Sequence, residues 1–236
     1  MRSAILARPR RPKTSLALTG GVALLAGFGA LALGAVAFVL WPRWPVAPAE
    51  STAPSLPITV AGVVFNVPPA AIRVPAQRAS GPQSRLDLMF EWPALVPPAS
   101  AARPPRSDTA KPDHLFIAIT EAREALPLLE RVRTIYPRYI GGAAFSGPGG
   151  LTGVPFRDGT PYQGEDLFLD AEQPERFTAR CSRPNGPMDG LCLFERQIGG
   201  AEITVRFPRG WLSDWRALGE RIDGLLARLA GAPAQK

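Results

Sequence analysis

Two cysteines, Cys181 and Cys192, a single histidine, His114, and a run of carboxylates are the residues of this 236-residue chain whose types allow chemistry. The carboxylates are Asp158, Glu165, Asp166, Asp170, Glu172 and Glu175, with no cation among them. A structural zinc site needs four ligands, and two thiols with one imidazole do not supply them. A Ser-His-Asp arrangement would depend on His114 alone, which opens a hydrophobic strand pattern. Ser146, in "AAFSGPGG", lacks the first glycine of a nucleophile elbow. "GPGGLTG" (147–153) has the glycine density of a phosphate loop, but no Lys-Ser or Lys-Thr follows and it leads into a strand pattern. The acidic run could offer oxygen ligands, yet its spacing fits no calcium loop, so it reads as a solvated rim. No catalytic, cofactor-binding or metal-ligating residue is assigned. The candidate interaction surface is Phe156, Arg157 and Tyr162, residue types that anchor interfaces.

The elements that position these residues follow from periodicity. "RFTARCS" and "LCLFERQ" alternate so that Cys181 and Cys192 each lie on the apolar side of a strand, and "RPNGPMDG" between them is rich in turn-formers. In an oxidising compartment, two such cysteines eleven positions apart form a disulfide. "SRLDLMFEW" directs Leu86, Leu88 and Phe90 to a core. "ITVAGVVFNVP" reads as one strand with a bulge at Gly62, "HLFIAIT" as a buried strand, and "AEITVRF" as a strand joined to its predecessor through "IGG". "PLLERVRTIY" opens with Pro127 as a short helix. From Trp211 on, Trp215, Leu218, Ile222, Leu225 and Leu229 recur at helical spacing.

The N-terminus sets the expected topology. Arg2, Arg8, Arg10, Arg11 and Lys13 precede 25 uncharged residues, Leu16 to Leu40, and Trp41 and Trp44 follow. Such a run reads as a transmembrane helix with a cytoplasmic N-terminus, too long for the apolar core of a signal peptide. Ala26, Ala30 and Gly34 form a small-residue stripe that offers a homodimer contact. The chain carries 27 cations against 20 acids. Setting aside the five tail cations and Arg43 leaves the remainder near neutrality, which removes the case for a nucleic-acid partner.

The expected plan is α+β: one N-terminal transmembrane helix, then a mostly antiparallel sheet packed by two amphipathic helices. Its parts are a basic cytoplasmic tail (1–15), the transmembrane helix (16–41) and a proline-rich stalk (42–57). A periplasmic domain (58–230) with a proline-rich loop (93–112) and a short tail (231–236) completes it.

"FRDGTPYQGEDLFLD" and "RFPRGWLSDWRALGERIDGLLARL", taken with the single N-terminal anchor, resemble uncharacterised single-pass envelope proteins of Gram-negative bacteria. The resemblance covers the anchor and the C-terminal half, and implies an inner-membrane location. It brings no functional residues with it. The expected function is that of a non-catalytic, membrane-anchored binding module of the envelope with a protein partner and no cofactor. The alternative is a tethered hydrolase using the 158–175 carboxylates.

Overall fold

Alternation of apolar and polar residues builds most of this molecule. The computed structural model describes residues 16–40, 53–98, 114–122, 126–184 and 190–231. The chain divides into two units, Met1–Trp44 and Pro45–Lys236. The basic tail, the tryptophans at 41 and 44, most of the stalk, most of the 93–112 loop and the chain after Gly231 lie outside the described residues.

In the first unit, helix α1 runs Leu16–Leu40. Among the described residues no helix is long and apolar enough to cross a membrane, which corrects the expected transmembrane helix. The membrane topology and the helix-borne homodimer lose that basis.

The second unit is a mostly antiparallel sheet with few helices. Strands β1 (Leu56–Val60), β2 (Val63–Val67) and β3 (Gly81–Pro82) form a small sheet in the order β2-β1-β3. The main sheet comprises β4 (Arg85–Glu91), β5 (His114–Glu121), β6 (Phe145–Ser146) and β7 (Thr152–Pro155), with β8 (Glu165–Leu169), β9 (Thr178–Ser182), β10 (Leu191–Ile198) and β11 (Ala201–Pro208). Its order is β4-β5-β11-β10-β9-β8-β7-β6, every pair antiparallel. The segment read as one bulged strand is the β1–β2 hairpin. Ala61 and Gly62 turn it with φ of 50° and 79°, the left-handed pair of a two-residue turn that feeds the strand twist.

One face of the main sheet is the core. Leu88, Ile117, Val205, Phe194, Ala179 and Phe168 stand opposite one another in neighbouring strands and are all buried. Helix α3 (Trp215–Leu229), entered through a 3-10 turn at Arg209–Asp214, covers this inner face with Trp215, Leu218, Ile222, Leu225, Leu226 and Leu229. Gly219 lies beside the Phe177 ring. The small sheet adds Ile58, Val60, Phe65 and Val67 to the same core. The short helix α2 (Leu128–Thr134) and the 3-10 turn Tyr136–Arg138 cap a second cluster on the other face, around Tyr136, Phe156 and Leu167.

Cys181 and Cys192 are directly opposite in β9 and β10, wholly buried, and joined as a disulfide with Cα atoms 3.9 Å apart. Closing that loop stabilises the fold by about 3 kcal/mol in the chain-entropy treatment. The pair should react with maleimide only after both denaturation and reduction. Replacing both by alanine should lower unfolding stability by about 2–4 kcal/mol in denaturant titrations. Thiols that label on denaturation alone would show the bridge to be absent in the cell.

Candidate interaction face

With the inner face spoken for, the alternate residues of the same strands must form the outer face. Met89, Phe116, Arg206, Leu193, Arg180 and Leu167 make one transverse row across β4, β5, β11, β10, β9 and β8. Asp87, Ala118, Thr204 and Glu195 make the next, and Arg85, Thr120, Glu202 and Gln197 a third. Leu167 is buried beneath the α2 cluster, whereas Met89, Phe116, Ala118 and Leu193 are half-exposed and Arg206 is exposed. The result is an apolar centre on β4, β5 and β10 with charges around it. Arg73 lies over the Phe116 ring, 4.6 Å from its centroid, and borders the face on the β4 side.

Charge is held in place at both margins. Arg85 donates to both Asp87 carboxylate oxygens at 2.8 Å, and Gln77 Nε2 donates to Asp87 Oδ2 at 3.1 Å. The Arg85 bond keeps the Asp87 carboxyl below its ordinary pKa against the opposing effect of burial, with help from Gln77. On the α2 side Arg131 pairs with Glu195 and donates to the Tyr136 hydroxyl at 3.2 Å. Burial works against the Arg131 charge, but hydrogen bonding and attraction to Glu195 outweigh it and raise its pKa. Arg180 pairs with Glu165 at 3.1 Å and lies over the Tyr162 ring. The Nε atoms of Arg131 and Arg180 are buried with no acceptor among the described residues, an uncommon state for a polar atom. Burial pushes the Tyr136 hydroxyl up to about 12, against the pull of Arg180 and Arg131.

Between α2 and the β10–β11 hairpin lies a cavity of about 270 Å³, just under the usual range for small-ligand sites. Leu126, Pro127, Leu128 and Leu129 form its apolar lip; Glu195, Gln197 and Glu202 come from the outer face. It extends the open face rather than forming a closed chamber.

The residues singled out from sequence disperse. His114 begins β5 opposite Glu91, while Ser146 is in β6, six strands away; at about 4.8 Å per strand they are about 29 Å apart and cannot act together. The 147–153 glycine run packs against the entry to α3: Trp215 Nε1 and Arg216 Nη1 donate to Gly149 O at 3.0 and 3.2 Å. Gly149 has φ of 62°, and a Cβ there would fall 2.9 and 3.1 Å from the Ser213 and Leu212 carbonyl oxygens, so its role is close packing. The acids also have separate tasks. Asp166 accepts from Arg183 and Arg209, each at 2.8 Å. Asp170 Oδ1 accepts from the backbone of Glu172 and Gln173, and Asp158 is exposed. Among the described residues no group of three His, Cys, Asp or Glu side chains is placed to hold a metal.

Phe156 is buried, Tyr162 half-buried and Arg157 exposed. Phe156 and Tyr162 rings lie 4.9 Å apart in the cluster with Tyr136 and Tyr139, and Arg157 donates to Arg138 O. These three bind the 156–162 loop to the turn after α2. The outer-face rows belong to the other half of each alternation, which the apolar pattern by itself does not single out. In "LCLFERQ" the intervening Leu193 and Glu195 were equally legible as an outward pair. Nothing local announces that Arg131 meets Glu195.

No family profile and no curated protein matches this chain. Its fold has a solved counterpart. An immunity protein of the Stenotrophomonas maltophilia type IV secretion system is similar with a TM-score of 0.51 at 16% identity, over 75% of this chain and 93% of that one. The iron-regulated outer membrane lipoprotein FrpD of Neisseria meningitidis gives a TM-score of 0.43 at 11% identity, over 78% and 97%. At 16% identity the first of these likenesses is one of fold.

Two measurements check the α2 margin. Glu195→Gln removes the counter-charge of the part-buried Arg131 and should cost about 1–3 kcal/mol, whereas Arg131→Met with Glu195→Leu should recover most of it. A double-variant loss as large as the sum of the two single-variant losses would show that the pair is not coupled. Because the folded pKa of Tyr136 lies above its ordinary value, its contribution to stability is complete below about pH 10. It is lost as pH rises toward about 12. Unfolding free energy should therefore fall over that interval, and the fall should be shallower in Tyr136→Phe.

Proposed function

We infer that this chain is a non-catalytic binding module of the bacterial cell envelope, and that a protein partner docks on the outer face of β4, β5, β11 and β10. The observation that carries this reading is the half-exposed row of Met89, Phe116 and Leu193 with Arg206 between them, flanked by charges already held in position. Such a patch fits the anatomy of an interface, with an apolar centre and a polar rim. The fold likeness to a type IV secretion immunity protein supports a partner of the toxin class. The buried disulfide supports work in an oxidising envelope compartment, with residues 58–230 as the working domain. The carboxylates of 158–175 favour binding over hydrolysis, since Glu165 and Asp166 are each tied to arginine.

A photo-crosslinking residue at Phe116 or Ala118, compared with one at Ser213 on the opposite side, identifies what touches the face in cells. With that partner purified, Phe116→Ala should weaken binding by about thirtyfold, the effect of a hot-spot residue worth about 2 kcal/mol. Arg216→Ala, at the start of α3, should leave it unchanged. Crosslinks of equal yield from both sides, or affinity indifferent to Phe116, would remove this reading.

A further inference from the structure

We propose that the free edge of β2 pairs with β2 of a second copy of this chain, joining two three-stranded sheets into one. The geometry begins with the hairpin. A two-residue turn makes its flanking pair, Val60 and Val63, hydrogen-bonded, so by alternation Ile58–Phe65 and Leu56–Val67 are hydrogen-bonded too. Thr59–Val64 and Pro57–Asn66 are then the intervening pairs, and the main-chain groups of Val64 and Asn66 point away from β1. Two observations agree. Pro57 has no N–H to offer Asn66, and on the far side of β1 the Thr59 carbonyl accepts from Gln83 N at 2.8 Å.

Nothing among the described residues takes up the outward groups of Val64 and Asn66. Both residues are exposed, Val64 at 46%. The main sheet treats its edges differently. Arg73 N donates to Asp87 O and Glu91 N to Val96 O along β4, while β6 at the other edge is two residues long. Strand β2 is five residues, "VVFNV", with no charge, proline or bulge, three common devices that keep an edge from pairing; the end of α3 approaches it at the Asn66 side chain, near Gly231.

A second copy is the occupant this edge fits. In a two-fold antiparallel pair centred on Phe65, Val64 faces Asn66 of the second copy, and each exchanges both main-chain bonds with the other. The same happens on the far side of the axis, so every outward group of the two edges is used. No like charges meet, because the strand has none. Phe65 stays in its own core, and Val64 packs beside Asn66 of the second copy on the solvent side. Two short edges bury less than about 1,200 Å², which makes the pair weak and concentration-dependent.

The test uses the full chain. Sedimentation velocity over a concentration series should show reversible growth from monomer to dimer. Asn66→Pro removes an N–H that no bond inside the fold uses, and Val64→Lys sets a charge at the seam. Each should weaken self-association at least tenfold without changing the thermal midpoint by more than a few degrees. Should the proline variant fail to fold, the lysine variant still decides. Under mild oxidation, a chain carrying Val64→Cys should crosslink to one carrying Asn66→Cys in mixture, and more than either does alone. A monomer at every concentration overturns the proposal. So does self-association that both variants leave intact and that gives no selective crosslink, since another surface would then be responsible.

Discussion

Leu88, Ile117, Val205, Phe194, Ala179 and Phe168 meet side by side across six strands under α3, and the position of everything else on the main sheet follows from that contact. Burying each such side chain stabilises the fold by roughly 1.5–3 kcal/mol. A slip of one residue in any strand would turn its whole set toward water. The outer face therefore has no independent freedom of register. Met89 stands beside Phe116, and Leu193 beside Arg206, because their chain neighbours are locked on the other side.

The buried and half-buried charges tie separate parts of the fold together. Asp166, buried in the same transverse row as the disulfide, receives two guanidinium groups that also bond carbonyl oxygens of Phe156, Glu165 and Ser182. It ties the ends of β8, β9 and β11 to the 156–165 loop. Arg131 and Glu195 do the same between α2 and β10. In each case the partner neutralises a charge that burial would otherwise penalise. Carboxylates committed in this way have their oxygens taken up by guanidinium donors, which leaves them badly placed to contact a substrate. Ordered rim charges around a half-exposed apolar row are features of recognition.

The two sheets differ in how they end. The main sheet closes one edge with chain segments and shortens the other; the small sheet leaves a neutral five-residue strand open. That contrast lies in main-chain directions, which the two-residue turn at Ala61 and Gly62 decides. The sequence does not signal this turn, because Ala-Gly is not among the favoured pairs for such turns and an alanine at positive φ is uncommon.

The sequence by itself determined the short-range facts: which side of β4, β5, β10 and β11 is apolar, which stripe of α3 is buried, where Gly199 and Gly200 reverse the chain, and that the two cysteines share an apolar strand face. Backbone geometry sets these repeats, two residues per strand period and 3.6 per helical turn, whatever surrounds them. Tertiary structure alone decided strand order, with β11 inserted between β5 and β10, and so decided that Phe116 neighbours Arg206 and that Arg131 reaches Glu195. Those contacts join residues tens of positions apart. Their selection rests on which arrangement buries the most apolar area while pairing every interior charge, a property of the whole chain that no local pattern contains.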